Sequence, residues 1–133
     1  MDQSLATFHV SSWAAAAYDE PDRGPTLSRV SFQKRYVGGL DGTARCEGLF
    51  CALDDPARGA GYVVTERFEG RIEGHEGSCV FQHVGIAAPG EEPHSEGYIV
   101  PGSGTRALAG IRGTFSIGDG HTIRLEVSFA ERR

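Results

Sequence analysis

The chain has 133 residues, 19 of them glycine, and a formal net charge of −5. A chain of this length predicts a single domain over residues 1–133. Its scattered Lys and Arg residues argue against a nucleic-acid surface. No apolar run reaches the roughly 20 residues that a membrane-spanning helix needs, so no membrane is expected as a partner. Three cysteines, an odd number, argue against a disulfide framework and predict a cytoplasmic protein.

Turn-forming residues divide the chain into eight stretches with strand-like sequence. In chain order they cover residues 6–13, 27–36, 43–53, 61–72, 78–87, 96–100, 108–117 and 122–130. Residues 19–25, 54–59 and 88–95 have the Pro, Gly and acidic content of loops. For residues 14–17, four alanines, one helical turn is possible, but we favour a cap over one end of the barrel.

The last stretch has the clearest strand pattern. Ile123, Leu125, Val127 and Phe129 alternate with polar residues, which is the period of two that a half-buried strand shows. Eight such strands predict an all-β fold, a single eight-stranded antiparallel up-and-down barrel, because closure removes exposed sheet edges. A two-sheet sandwich is the alternative that the pattern alone leaves open.

The stretch over residues 61–72 carries an acidic residue on an apolar face. Tyr62, Val64 and Phe68 share this face with Glu66, so the carboxylate should point into the barrel. An unpaired buried carboxylate is costly, and it must either raise its pKa or find a partner. Either outcome makes Glu66 a candidate for proton transfer.

The next stretch offers His83 as that partner. An even-numbered hairpin loop centred between residues 74 and 75 would place Glu66 opposite His83 and Phe68 opposite Phe81. An odd-numbered loop would instead put Glu66 beside Val84 and turn His83 outward. We favour the even loop because it brings the two phenylalanines together. The Glu66–His83 pair is then either catalytic or a structural hydrogen bond that fixes the register.

The spacing of the histidine, serine and cysteine residues gives little support to metal binding or to nucleophilic catalysis. The five histidines are far apart and form no His-x-His or His-Glu-x-x-His motif, so neither a metal nor a cofactor is predicted. Ser103 lies in Gly-Ser-Gly before another strand, whereas a nucleophile elbow needs Gly-x-Ser-x-Gly before a helix. A turn is the better interpretation. Cys46 and Cys51 are interpreted as small apolar residues that pack in the fold.

A set of glycine-rich turns and neighbouring motifs carries a family resemblance. The motifs are Trp13, the glycines at 70, 74 and 77, Phe81-Gln-His83, and Pro101-Gly-Ser-Gly-Thr105. With them the chain resembles, over about residues 8–115, a bacterial domain-of-unknown-function family that shares the small β-barrel of allene oxide cyclase. Two positions depart from the family pattern. Arg106 stands where relatives commonly carry glycine, and alanines follow Trp13 where relatives often carry an acidic residue.

The resemblance implies a cofactor-independent isomerase or cyclase that acts on a small, mostly apolar, lipid-like or polyketide-like molecule inside the barrel. The alternative is a lipocalin-like carrier without chemistry, and a completely filled interior would indicate a structural role. Glu66 and His83 are the candidate catalytic residues. The candidate substrate-binding residues are Tyr62, Phe68 and Phe81 in the cavity, with Trp13 and Tyr98 near its mouth. Related barrels often associate through their outer faces, which leaves a homo-oligomer open.

Overall fold

The computed structural model describes residues 2–52 and 59–130, and within them eight antiparallel strands close into one barrel. The strands are β1 (Asp2–Asp19), β2 (Thr26–Gly38), β3 (Leu40–Ala52), β4 (Ala60–Ile72), β5 (His75–Ala87), β6 (His94–Ile99), β7 (Ile111–Gly118) and β8 (Thr122–Phe129). Each strand pairs with its neighbour in sequence, and β1 also pairs with β8. The predicted up-and-down barrel is therefore confirmed. Except for Gly59, the loop predicted over residues 54–59 lies outside the described residues.

The barrel interior is packed with aromatic and aliphatic side chains. Tyr36, Phe68 and Phe81 are completely buried. The Tyr36 ring meets the two phenylalanine rings edge-on at centroid distances of 5.8 and 6.2 Å, and those two rings stack at 5.5 Å. Such edge-on and stacked pairs are the favoured aromatic arrangements. This cluster forms the centre of the core.

β1 is longer than the sequence predicted. Residues 14–17, which we expected to form a helical turn or to cover the barrel end, continue the strand and pair with residues 28–31 of β2. A bulge between Ser11 and Ala14 precedes them, and Ser12 within it has a φ of 57°. Alanine favours helices, but tertiary pairing with β2 overrides that preference here. On its other side, β1 pairs with β8 only as far as Thr7.

The β4–β5 hairpin has an even-numbered loop, as predicted, but it turns one residue earlier. Ile72 pairs with His75, so that Glu73 and Gly74 form a two-residue turn with φ values of 47° and 84°. Two successive residues with positive φ make a type I′ turn, whose twist matches that of the flanking strands. The turn type therefore sets the register.

The earlier turn changes the predicted cross-strand pairs. Glu66 pairs with Phe81 rather than with His83, and Phe68 pairs with Cys79 rather than with Phe81. Both predicted direct pairs are wrong. Because the shift is by an even number of residues, every side chain keeps the face that the sequence predicted.

The Pro-Gly-Ser-Gly-Thr motif covers one edge of β5. β6 pairs with β5 only from Phe81 onward, which leaves the preceding residues of β5 without a strand on that side. Ser103 Oγ accepts a hydrogen bond from the Val80 N–H, and Thr105 Oγ1 accepts one from the Ser78 N–H, each at 3.0 Å. The Thr105 N–H donates in turn to the Ser78 carbonyl at 2.9 Å. Ser103 thus has a structural role in a turn.

Among the described residues, no helix has the length and apolar character needed to cross a membrane.

Candidate functional site

A carboxylate with three hydrogen-bond donors lies inside the barrel. Glu66 is completely buried. Its Oε2 accepts hydrogen bonds from Lys34 Nζ at 2.7 Å and from His83 Nε2 at 2.5 Å, and its Oε1 accepts one from the Tyr36 hydroxyl at 2.6 Å. We call Lys34, Tyr36, Glu66 and His83 the polar cluster. The predicted contact between Glu66 and His83 is present, although the two residues are diagonal rather than direct partners.

Inward positions of three strands supply these side chains. Lys34 and Tyr36 are alternate residues of β2, and both are buried. Gly97 of β6 pairs with His83, and a Cβ at Gly97 would lie 2.5 Å from His83 Cβ. Glycine is needed at that position because a Cβ there would overlap the Gln82 carbonyl oxygen and the Cα and Cβ atoms of His83.

Sequence reasoning missed Lys34. The signal was available, because Val30, Phe32 and Tyr36 occupy the same face of β2 as Lys34. The Lys34 ammonium also lies 4.2 Å from the centroid of the Phe8 ring, a favourable cation–π distance. A lysine between apolar alternate residues therefore marked the cationic partner of Glu66.

The cluster keeps Glu66 ionised despite its burial. Burial alone would raise the pKa of this carboxyl, but the His83 hydrogen bond and the Lys34 charge outweigh it and lower the pKa to about 2. Burial and the adjacent Glu66 raise the pKa of Tyr36 well above its ordinary value of 10.0. Tyr36 thus remains a protonated donor, and Glu66 acts as an acceptor at neutral pH.

The two ring nitrogens of His83 have different surroundings. Because an ionised Glu66 can only accept, His83 Nε2 must carry the proton that joins them. In residues 2–52 and 59–130, no hydrogen-bond partner is found for the buried Nδ1 atom of His83. The imidazole lies edge-on to the rings of Tyr62 and Phe115, each at a centroid distance of 5.7 Å. In the neutral ring, Nδ1 has a free lone pair.

A small cavity, which we call the mouth, opens next to Tyr62. It lies where β4 begins and β5 ends, and has a volume of about 190 Å³. The Tyr62 hydroxyl donates to Ser95 Oγ at 2.8 Å, and both residues line the cavity. The Tyr62 ring lies over Gly85, where a Cβ would overlap the ring. Tyr62 and Ser95 therefore separate the mouth from the imidazole.

An aromatic row continues from Tyr62 to the protein surface. Phe50 stacks on Tyr62 with 5.0 Å between ring centroids, and Trp13 contacts Phe50 at 5.4 Å and Phe32 at 5.0 Å. Trp13 itself is 54% exposed. The row thus connects the exposed Trp13 ring to Tyr62, which lines the mouth.

The structure separates the other predicted substrate-binding residues from the mouth. Phe68 and Phe81 belong to the packed core and line neither the mouth nor the larger concavity on the outer face, because they lie deeper along the barrel axis than Tyr62. Tyr98 lies on the outer face, since Ser95 and Ile99 occupy the inward positions of β6. Its hydroxyl donates to Gln82 Oε1 at 2.8 Å. The expected positions of these three rings are therefore corrected.

Comparison with known proteins identifies the family. Residues 5–130 match the family described as "Protein of unknown function (DUF3224)". This chain belongs to the DUF3224 family. A crystal structure of a DUF3224 protein of unknown function from Shewanella oneidensis MR-1 is 30% identical in sequence, with a TM-score of 0.85 and 99% of each chain covered. No curated protein matches this chain.

A larger concavity of about 900 Å³, which we call the outer groove, lies mainly on the outer face of this DUF3224 barrel, and the inward-facing His83 and Phe115 also contribute to its lining. Leu49, Val63 and Val84 contribute to it from adjacent positions of β3, β4 and β5. Each is nearly half exposed, so a ligand there would keep much of its surface in water. Enclosed small-molecule sites bury about 70–90% of a ligand's surface. The mouth, in contrast, combines the half-buried Tyr62 ring with the buried Ser95 hydroxyl, and it is the candidate site in this family member.

Metal ligands do not gather in the described residues, and two of the three cysteine thiols are buried. No three His, Cys, Asp or Glu side chains gather there as a group that could hold a metal ion. Burial raises the pKa of the Cys79 thiol to about 12, and burial together with Glu66 raises that of Cys46 further. Both thiols are thus held in their unreactive protonated form.

Proposed function

We propose that this DUF3224 protein binds a small, mostly apolar organic molecule at the mouth of its barrel. The observation that carries the proposal is the aromatic row of Trp13, Phe50 and Tyr62, which ends in a cavity with polar groups at its base. Apolar walls with a few placed polar groups are typical of small-molecule sites. A volume of about 190 Å³ admits about one aromatic ring, so the rest of the ligand would lie along Trp13.

The packed interior favours a binding protein over one that encloses its ligand. Phe68 and Phe81 fill the space below the polar cluster, so that a ligand cannot descend through the barrel without moving core side chains. The ligand would instead contact the Tyr62 and Ser95 hydroxyls. This arrangement supports the carrier function, in which polar groups orient a ligand and no bond changes.

The only tryptophan in the chain provides a direct test. Trp13 lies in the aromatic row, so its emission should fall when the fluorescent probe anilinonaphthalene sulfonate binds at the mouth. Gly85→Ala and Val84→Ser form a matched pair, because these adjacent residues of β5 face the mouth and the outer groove respectively. We expect Gly85→Ala to weaken probe binding by about tenfold or more, and Val84→Ser to change it by less than about twofold. The opposite ranking would move the site to the outer groove and contradict the proposal.

A second candidate function is the cofactor-independent isomerase or cyclase that the resemblance to allene oxide cyclase implies. One observation favours it: a carboxylate holds one nitrogen of His83, and the other nitrogen has no partner in the described chain. A carboxylate that orients an imidazole in this way prepares it to act as a base. In this reaction His83 would take the proton, and Glu66 would be a positioning residue because its low pKa makes it a weak base.

Base catalysis can be tested with a nitrobenzisoxazole, a small planar molecule whose ring opens when a base removes its ring proton. If His83 is an accessible base, the wild-type protein should open the ring faster than free imidazole at equal concentration. His83→Gln keeps an N–H donor for Glu66, and should lower the rate by about 10²–10⁴-fold. Equal rates for wild type and His83→Gln, with probe binding intact in both, would contradict base catalysis by His83. The carrier would then be the supported function.

Two further expectations, on the location of the protein and on its partners, belong with this proposal. The three cysteines are free, which supports a reducing cytoplasm as the location. The net charge of −5 supports a partner other than nucleic acid.

A further inference from the structure

The outer half of β1 has an open edge. β1 pairs with β8 only over residues 2–7, and the Phe8 N–H then donates to the His121 carbonyl at 2.9 Å. From His9 to Asp19 the strand pairs with β2 alone, and no other strand in the described chain pairs with its opposite side. Every second residue of such a strand directs its N–H and C=O groups away from the neighbour that it has. This segment thus presents a row of backbone groups to solvent.

Apart from one bulge, this edge lacks the features that usually prevent association. Residues 10–18 contain no Lys, Arg, Asp, Glu or Pro, the residues with which natural sheets protect exposed edges. The bulge before Ala14 interrupts it, but residues 14–17 then pair regularly with β2. Trp13 and Tyr18 next to them are 54% and 57% exposed. The open edge of β5, in contrast, is covered by the hydroxyls of Ser103 and Thr105.

We propose that a second copy of this chain pairs with this edge, with the two β1 strands antiparallel about a two-fold axis at Ala15. A two-fold axis places Ala15 opposite its own copy and brings the neighbouring residues close to theirs, so a charge at or near the axis would lie close to a like charge. None is present between residues 10 and 18. The two β1 edges can therefore pair without electrostatic repulsion.

The spacing of side chains also favours a second copy of this chain as the partner at this edge. In the register centred on Ala15, Trp13 lies opposite Ala17 of the partner subunit, and the reciprocal pair forms on the other side of the axis. Each large ring thereby covers a small residue, which buries apolar surface twice. An unrelated peptide would find backbone groups here but no side-chain pockets, because residues 14–17 are all alanine. Specific recognition of a peptide by an added strand relies on such pockets.

Charge substitutions at the axis test this proposal. Sedimentation velocity of the wild-type protein should show a dimer. Ala15→Lys and Ala15→Asp each place two like charges opposite each other, and each should weaken the dimer by at least about tenfold. An equimolar mixture of the two variants pairs Lys with Asp, and should restore dimers. That rescue also shows that the separate variants are folded.

Val63→Lys is the matched control, since Val63 lies on the outer groove and is 49% exposed. It should leave the dimer unchanged. A wild-type monomer at about 100 µM, well above the Kd of ordinary specific interfaces, would overturn the proposal. So would a dimer that Val63→Lys disrupts and Ala15→Lys does not. Binding of the fluorescent probe is measured separately, so failure of the dimer leaves the proposed function standing.

Discussion

Glu66 Oε2 lies 2.5 Å from His83 Nε2, although the two residues are not direct partners across β4 and β5. Their side chains meet diagonally, because Glu66 pairs with Phe81 and His83 pairs with Val64. Diagonal neighbours in a sheet lie within reach of long side chains. The contact depends on a shared inward face, and it therefore survives a shift of register by an even number of residues.

Replacing Glu66 with Gln should destabilise the fold strongly. The substitution leaves the buried Lys34 without a negative partner, and a Gln amide cannot accept from three donors as the carboxylate does. Removing one partner of a buried ion pair costs about 3–5 kcal/mol, to be measured as the free energy of unfolding in urea. Glu69→Gln on the same strand is the control, because its ion pair with Arg106 is exposed. A change below about 1 kcal/mol for Glu66→Gln would contradict this account of the cluster.

The double variant Lys34→Met with Glu66→Gln should recover part of that loss. It removes both charges, and a buried pair replaced by residues of similar volume is often neutral in stability. A double variant less stable than Glu66→Gln alone would show that Lys34 contributes mainly by packing against Phe8. The measurement is again urea unfolding.

The free energy of unfolding should decrease as the pH is lowered from about 4.5 to about 2. The pKa of Glu66 is lowered from 4.5 to about 2 in the folded state. Ionised Glu66 therefore stabilises the fold fully at pH values above about 4.5. That contribution is lost as falling pH protonates the group. A difference of this size corresponds to about 3 kcal/mol. Unfolding followed by circular dichroism across this window checks it, and Glu66→Gln should show a flatter profile than the wild type.

Gly85→Ala should displace the Tyr62 ring. A Cβ at Gly85 would overlap that ring, whereas a Cβ at Gly61 would lie 3.7 Å from the nearest atom outside its chain neighbours. We expect Gly85→Ala to cost about 1–3 kcal/mol through overpacking and Gly61→Ala to be close to neutral. Loss of the Tyr62–Ser95 hydrogen bond should appear as faster exchange of the Tyr62 hydroxyl in NMR spectra. Equal stability of the two variants would mean that Tyr62 moves freely.

Arg106→Gly should stabilise the protein. Arg106 has a φ of 53°, a left-handed conformation that costs a non-glycine residue about 1 kcal/mol. Its ion pair with Glu69 at 3.4 Å is exposed and contributes little. The expected gain of up to about 1 kcal/mol is measured by urea unfolding. Arg106→Ala keeps the strain while removing the guanidinium, and should give no gain.

The strands with strong alternation of apolar and polar residues could be predicted from sequence. The exact turn position and the strand lengths could not, because they depend on tertiary contacts. The alternation around Glu66 placed its side chain inside, and the even loop placed His83 on the same face. The turn at Glu73 and Gly74 was missed because Glu is not a usual residue at positive φ. The length of β1 was missed because an alanine run carries no strand signal. Tyr98 was misplaced because β6 has only 6 residues, too few for its alternation to indicate a face.

The pairing of β1 with β8 has a consequence for how the chain folds during synthesis. It joins residues 2–7 to residues 122–127, the largest sequence separation in the barrel, and contacts between such distant segments form slowly. Until the ribosome has made β8, a nascent chain that already holds seven strands has two unpaired strand edges. Such intermediates are prone to aggregation, so yield in cells should depend on chaperones that bind the incomplete sheet.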